Sequence, residues 1–404
     1  MKKILIFSLS YYPTHVGGAE IAIKEITDRI SPNDIAFHLI CNRYDTALPK
    51  EEKVGNVRVH RIGLGKKGAD TRATSSMLFY AVKMLYAPLA AAKALSLNRR
   101  ERFDGLWAMM LYMTFPISLM RLCGVRLPYA LTLQEGDPFE HVFGRPHIRP
   151  LVPLLRYGVR HASAVQAISS FLGKWPKQLG YTGTVEVIPN GVDVARFSKS
   201  VGDDVKTATR AELGANGGDT VLVHTGRMVE KNGIADIIRA LAFLSSDIRF
   251  AQIGAGPDGE TLRALAGEIG VADRVRFLGF VPQTELPRYL QSADIFVRPS
   301  RSEGMGNSFI EAFAAGVSVI ATQVGGIADF LFDPERDPGK EPTGRAVAPH
   351  DAQGIARAAL LYLEDEDMQR RIVANARALA ARAYDWNGIV RAMRERVFSR
   401  ILGI

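Results

Sequence analysis

Residues 293–322 read ADIFVRPSRSEGMGNSFIEAFAAGVSVIAT, and this stretch decides the fold. An apolar run (293–300) passes into a loop carrying Gly304 and Gly306. A helix running to Ala315 follows, then Gly316 and a second apolar run, VSVIAT (317–322). Continuous rather than alternating apolar runs are the pattern of parallel strands buried on both faces. Asn307 or Ser308 is expected to cap the helix, with Glu303 in the loop before it and Glu311 in about its first turn. The free backbone N–H groups of the helix start suit a phosphate. A carboxylate on each side of that anion site repels the phosphate itself. The pair suits hydroxyl groups flanking a diphosphate, a sugar on one side and a ribose on the other.

Outward from this stretch the same strand–helix unit repeats. Strands are expected at 220–226, 248–254 and 275–280 in the second half, and at 3–8, 37–41, 57–62, 103–109, 129–134, 162–169 and 185–190 in the first. Helical stretches lie between many of them, for example 233–245 and 258–270. Repeated strand–helix–strand units predict doubly wound α/β architecture, and two sets predict two Rossmann-like domains. Pro189 followed by Asn190-Gly191 is a strong turn signal that places the join. The expected domains are 1–190 and 191–385, with a helix over 386–404 crossing back to the first.

Three further loops join strand to helix. In HTGRMVEKNG, Gly226-Arg227 and Lys231 follow a strand ending at Thr225. Ligands bind at the carboxyl edge of open α/β sheets. There an Arg offers a fork and a Lys a point charge to a diphosphate, against the plainer alternative of two solvated cations. Gly254-Ala255-Gly256-Pro257 is a partial glycine motif. It reads as a wall of a nucleotide site rather than an NAD fingerprint, since its third glycine is out of register. The loop from Tyr12 to Glu20 carries Gly17-Gly18 ahead of a helix, where backbone N–H groups can approach an anion.

The chain has 404 residues, 51 Lys/Arg, 42 Asp/Glu and two cysteines. Its apolar and charged fractions exclude wholesale disorder, and Cys41 and Cys123 alone exclude a disulfide framework. No run reaches the roughly 18 apolar residues of a spanning helix, so a cytoplasmic chain is expected, one able to sit on the inner face of a membrane. Residues 1–190 hold 25 Lys/Arg and 14 Asp/Glu, residues 191–404 hold 26 and 28, so the positive excess lies wholly in the first half. A membrane surface or phosphorylated lipid fits that bias; nucleic acid does not, because no basic stripe interleaved with aromatics is present. Leu78, Val82, Leu85 and Leu89 recur at helical spacing between Lys66, Lys67 and Arg72 on one side and Arg99, Arg100 and Arg102 on the other. That pattern reads either as a core helix or as a docking face for anionic membrane. No metal is implied. The eight histidines lack ligand spacing, and Glu364-Asp365-Glu366-Asp367 reads as a solvated face. His141 and His147 flank an irregular loop at Phe143-Gly144.

With these residues in view, the sequence resembles the family 4 (group 1) glycosyltransferases of the GT-B fold. The resemblance rests on Glu303 and Glu311 with seven residues between them, the following AFAAGVSVIATQVGGIADFL, the segment GRMVEKNG, the GGAE near the N-terminus and VIPNGVDVARF at the join. It covers roughly residues 1–385. It implies two Rossmann-like domains facing each other across a cleft. It also implies retaining transfer of a hexose-type sugar from a UDP-, GDP- or ADP-sugar to a glycan or lipid-linked acceptor, without metal or cofactor, in polysaccharide or glycolipid synthesis. Carried over by position, Arg227 and Lys231 bind the donor diphosphate and Glu303 holds hydroxyls of the transferred sugar. Glu311 holds the ribose. Gly18, Gly226, Gly254, Gly304, Met305, Gly306, Asn307 and Ser308 line the donor. One departure concerns the first domain, where Gln134 occupies a position at which many members carry His. Gln cannot act as a base at neutral pH; Gln134, Glu135 and Asp137 are the candidate contacts on the acceptor side. The competing readings are a nucleotide-sugar epimerase on the same scaffold and a non-catalytic sugar-nucleotide-binding member.

Overall fold

The computed structural model describes residues 1–13, 17–68, 77–146 and 148–404. Arg72, His147 and the side chain of Leu78, named above, lie outside that description. The chain divides into two compact units, Met1–Asn190 together with Trp386–Ile404, and Gly191–Asp385.

The first unit is built on eight strands: β1 (Lys2–Phe7), β2 (Ile35–Asn42), β3 (Glu51–Val54), β4 (Val57–Ile62), β5 (Gly105–Met109), β6 (Tyr129–Leu133), β7 (Ala164–Ala167) and β8 (Val185–Val187). Their order across the sheet is β3-β4-β2-β1-β5-β6-β7-β8. All pairs are parallel except β3 with β4. Ile4 to Phe7 and Gly105 to Met109 are fully buried, as the continuous apolar runs demand. β3 is an addition to the strands read from the sequence. It is an antiparallel edge of four residues, EEKV, without a fully buried position, so it carries no apolar run to detect.

The helix Gly18–Asp28 packs on one face of this sheet beside the C-terminal segment, whose Trp386, Ile389, Val390, Met393, Phe398 and Ile401 join the same core. Phe398 meets Phe37 and Trp107 at ring distances of 6.1 and 5.1 Å. Nε of Arg396 donates to Glu186 at 2.8 Å, fixing the segment to β8. The segment is not one regular helix: Trp386–Met393 passes through a π turn (Arg394–Phe398) into Ser399–Leu402. On the other side, Met77–Glu101 lays Val82, Tyr86, Ala90, Ala94 and Leu97 into the core. Tyr86 donates its hydroxyl to the Ile40 carbonyl at 2.8 Å. The apolar spacing expected for this helix therefore divides. Val82 is interior, whereas Leu85 and Leu89 stand 53% and 42% exposed beside Met84 at 71%.

The second unit has β9 (Thr220–Thr225), β10 (Ile248–Ile253), β11 (Val275–Gly279), β12 (Ile295–Arg298), β13 (Ser318–Thr322) and β14 (Arg345–Val347). They run β11-β10-β9-β12-β13-β14, all parallel. This is the doubly wound 3-2-1-4-5-6 order, which reverses direction between its first and fourth strands and leaves a ligand crevice beyond their carboxyl ends. Here those strands are β9 and β12. β14 was not among the strands read from the sequence; it has three residues and begins on a buried arginine, Arg345.

Candidate functional site

The two loops that leave β9 and β12 are the ones that carry GRMVEKNG and SRSEGMGNS, so the fold brings both motifs to the switch point of the second sheet. The loop after β9 begins at Gly226, whose N–H donates to the Ile253 carbonyl at 2.9 Å and whose carbonyl accepts from Gln252 Nε2 at 2.9 Å. Gly254 sits directly against it. A Cβ there would meet the Gly226 carbonyl oxygen at 2.1 Å, and its φ of +127° is one that side chains rarely adopt. The partial glycine motif thus serves close packing of one loop on the next. Arg227 is then exposed and Lys231 half-buried, within a short turn, Glu230–Asn232. The turn is anchored from both ends. Asn232 Nδ2 donates to the Arg227 carbonyl at 2.7 Å, and the Arg301 N–H donates to the Lys231 carbonyl at 2.7 Å.

The helix after β12 spans Asn307–Ala315, and from Ser308 onward every residue is buried. Its start corrects the expected cap. Neither Asn307 nor Ser308 caps it: both lie inside the helix, and the capping position is Gly306, at φ +86° and ψ +90°, with no side-chain cap. Ser308 is 8% exposed and its Oγ accepts instead from Arg298 Nη1 at 2.7 Å. Gly306 is required sterically as well, since a Cβ would meet the Phe309 ring at 2.6 Å and Glu303 Cγ at 3.2 Å. A helix start without a side-chain cap leaves backbone N–H groups for an anion, at the positive end of the dipole.

The two carboxylates differ in environment. Glu303 lies in the loop with its side chain 13% exposed. One oxygen accepts from Arg298 Nη2 at 2.6 Å and the other from the Gly304 N–H at 3.1 Å. Glu311 falls in the second helical turn rather than the first, buried, and accepts from Gln283 Nε2 at 3.1 Å. Burial raises its pKa above the ordinary carboxylate value; the Gln283 hydrogen bond and the charges of Arg196 and Arg298 work against that rise. His224, at the end of β9 and wholly buried, is held well below its usual pKa by burial first and by the Arg298 charge second. The neighbouring ring is therefore neutral.

Two residues, one in each unit, escaped the sequence reading. Arg298 interrupts the run ADIFVRPS, and a charge inside an otherwise apolar buried strand was the available signal. Glu20, in GGAE, is buried and accepts from Ser10 Oγ at 2.7 Å and from the Gly17 N–H at 3.0 Å. It ties the exit of β1 to the helix start where Gly18 lies exposed.

The acceptor-side candidates lie in the first unit, after β6. Glu135 is interior and held by backbone donors. It is 5% exposed and accepts from the Leu111 N–H at 2.7 Å and the Gln134 N–H at 2.9 Å. Burial raises its pKa while those backbone donors lower it. It holds the loop after β5, where Met110 stands at φ +75°. The Gln134 amide pairs reciprocally with Asn190, at 3.1 and 3.0 Å. Asp137 forms an ion pair with Arg145 at 3.0 Å. His141 lies in a short helix, Phe139–Gly144, rather than an irregular loop. Among the described residues no group of three or more His, Cys, Asp or Glu is placed to hold a metal ion.

Comparison with known proteins follows the same division. Residues 205–379 match the family described as glycosyl transferases group 1, and residues 16–196 match glycosyltransferase family 4. An uncharacterized glycosyltransferase of Methanocaldococcus jannaschii is 25% identical over 403 residues, covering 96% of each chain. A GDP-mannose-dependent monoacylated α-(1-6)-phosphatidylinositol monomannoside mannosyltransferase of Corynebacterium glutamicum is 30% identical, covering 75% of this chain and 78% of its own. Among solved structures, sucrose-phosphate synthase of Thermosynechococcus elongatus superposes with a TM-score of 0.82 at 19% identity over 100% of both chains. Anabaena HepE, solved with UDP-glucose, gives 0.78 at 21% over 99% of this chain and 100% of its own. The chain belongs to the group 1, family 4 glycosyltransferases and has the GT-B fold.

Proposed function

We propose that this glycosyltransferase moves a hexose-type sugar, with retention at the anomeric carbon, from a nucleoside diphosphate sugar to a glycan or lipid-linked acceptor. The observation that carries the reading is the second switch point, where Arg227 and Lys231, an uncapped helix start and the partly exposed carboxylate of Glu303 belong to two loops at one sheet edge. In this reading the diphosphate lies on the helix start at Gly306, Asn307 and Ser308, with Gly226 and Gly254 shaping the opposite wall. Glu303 accepts hydroxyls of the transferred sugar beside Gly304 and Met305, and Glu311 accepts those of the ribose.

The bond between the anomeric carbon and the diphosphate oxygen breaks with its electron pair going to the departing nucleotide. Arg227, Lys231 and the helix N–H groups meet the charge that develops there. The acceptor hydroxyl forms the new bond to the same face of the sugar and gives its proton to a leaving phosphate oxygen. No protein base is needed, which suits a chain with Gln134 where the family resemblance implies a His, and two cations supply the charge that a metal would. The relative from Corynebacterium is named as acting on a phosphatidylinositol mannoside, and one from Bacillus subtilis as a candidate in teichuronic acid biosynthesis. Both names favour a cell-surface glycan or glycolipid. The exposed Met84, Leu85 and Leu89, on the helix that ends beside exposed Arg99, Arg100 and Arg102, support attachment to an anionic membrane. The test is a panel of nucleoside diphosphates and their sugars, measured by thermal shift without added metal. A ligand of the folded state raises the melting temperature by mass action. A shift with one nucleotide sugar that Arg227→Ala removes is the expected result, followed by release of free nucleotide only when acceptor is added. Turnover without acceptor would favour an epimerase, and no shift with any nucleotide would end the donor-site reading.

A further inference from the structure

A guanidinium at the end of a central parallel strand demands an explanation. Ile295, Phe296 and Val297 of β12 are fully buried, and Arg298 follows them with its side chain 12% exposed. Removing a cation from water is costly unless its donors are met. Those of Arg298 go to separate parts of the switch point. Nε donates to Ser300 Oγ at 3.2 Å in the loop after β12. Nη1 donates to Ser308 Oγ at 2.7 Å at the helix start, and to the Thr225 carbonyl at 3.4 Å where β9 ends. Nη2 donates to Glu303 at 2.6 Å and to Asn232 Oδ1 at 3.3 Å in the turn that carries Lys231. The ring of Phe309 lies 5.4 Å from the guanidinium carbon. Arg fits this task where Lys would not, since a planar fork with five donors can satisfy several acceptors in fixed directions.

We infer that Arg298 is a positioning residue for donor-sugar recognition: it fixes the Glu303 carboxylate at the helix start and couples it, through Asn232, to the turn bearing Lys231 and to the Arg227 backbone before it. The coupling is continuous. Arg298 holds one end of the Asn232 amide while the other end holds the Arg227 carbonyl. Arg298 occupies only one Glu303 oxygen, and the second meets the Gly304 N–H. Each carboxylate oxygen has a second lone pair, so Glu303 retains acceptor capacity for sugar hydroxyls while its orientation is set from behind. The inference rests on the sugar-transfer reading above and adds to it a residue that acts through Glu303 without touching the substrate.

The experiment compares wild type with Arg298→Met, Arg298→Lys, Glu303→Gln and the double variant Arg298→Met/Glu303→Gln. It measures kcat and KM for the nucleotide sugar, and the Kd of the matching bare nucleoside diphosphate. A displaced carboxylate costs on the order of 100-fold in kcat. Arg298→Met is therefore expected to fall by about that factor, with a smaller loss of affinity for the bare nucleoside diphosphate, because the bonds from Asn232 to the Arg227 carbonyl and from the Arg301 N–H to the Lys231 carbonyl remain. Arg298→Lys is expected to recover part of the loss, because one point charge can still pair with Glu303. Arg298→Met is expected to add nothing in the Glu303→Gln background, as residues acting through one another are non-additive. Wild-type kinetics in Arg298→Met, losses that multiply in the double variant, or equal losses for bare nucleotide and nucleotide sugar would each overturn the inference. If Arg298→Met does not fold, Arg298→Lys carries the same comparison: a lysine variant with wild-type kcat, or one that weakens both ligands equally, overturns it. A wild-type protein that binds no nucleotide sugar removes the transfer reading and the inference together. Wild-type transfer with an indifferent Arg298 removes the inference alone.

Discussion

The carboxyl ends of the two sheets use polar side chains in opposite ways. Beyond β9 and β12, polar groups hold loops together and leave chemistry facing outward. Asn232 and Ser308 are interior, Arg227 is exposed, and Lys231, Arg298 and Glu303 are half-buried, the last two paired with each other. Beyond β6 the polar groups satisfy one another. Gln134 pairs with Asn190, Glu135 with two backbone N–H groups and Asp137 with Arg145. A matched group meets a ligand either through a spare lone pair, as proposed for Glu303, or by losing a partner, and a buried one regains no water in exchange. One edge is therefore organised to present side chains, and the edge beyond β6 to brace its own loops.

The sharpest way to break this contrast is Lys231→Ala. If the β9 edge presents charge to the leaving diphosphate, losing one preorganised donor costs about 10²–10³-fold in kcat, with thermal unfolding unchanged. Full activity would remove Lys231 from the site. Glu135→Ala is expected to do the reverse. Two backbone N–H groups lose their acceptor in the interior, at about 1–3 kcal/mol for each one left unsatisfied. Urea unfolding of the first unit should register this, with nucleotide affinity in the second unit unaltered. An undisturbed fold with lost acceptor turnover would instead make Glu135 a functional acid.

A smaller effect separates presentation from bracing within the donor edge itself. Burial raises the Glu311 pKa, so two consequences of pH have opposite sign. A carboxyl with a raised folded-state pKa contributes stability at low pH that is lost as pH rises through that value. Nucleotide affinity, which in the proposed reading needs the ionised form to accept ribose hydroxyls, is expected to weaken as pH falls through the same value. That weakening begins at a higher pH than for an exposed glutamate. Titration of the nucleoside diphosphate Kd against pH checks this: Glu311→Gln should bind several-fold more weakly near neutrality and show a flatter profile. A wild-type Kd without acid sensitivity would leave Glu311 as a bracing residue.

The same contrast explains what the sequence disclosed. Both sheets were legible because their parallel strands are continuous apolar runs, and β3 and β14 were not because EEKV and RAV have none. The donor edge was legible as residues because glycines, cations and acids cluster there in one local order. Its helix cap was misassigned because Ser308 looks like a capping residue in sequence, and its hydroxyl goes to Arg298, ten positions earlier. The bracing contact of Glu135 was not legible, because nothing in LQEGD announces that Leu111, on another loop, donates to its carboxylate. Arg298 was visible as an anomaly in β12, but its partners lie on four segments that only folding assembles. Local chemistry is written along the chain; pairing across loops is not.

Gln134 offers the last and smallest test. Its amide donates to and accepts from Asn190, an arrangement that needs a donor and an acceptor side by side on one planar group. A neutral imidazole carries one of each, but on opposite sides of a ring, so Gln134→His cannot restore both contacts. The expected result is a loss of about 1 kcal/mol, the net worth of an ordinary hydrogen bond, and a coupling of similar size in the cycle with Asn190→Ala. Because the proposed reaction returns the acceptor proton to the leaving phosphate, the histidine should bring no gain in kcat and no new ionisation in its pH profile near neutrality. A several-fold rise in kcat with a limb near the histidine pKa would show that this edge can present a base after all. The division between a presenting edge and a bracing one would then belong to Gln134 rather than to the fold.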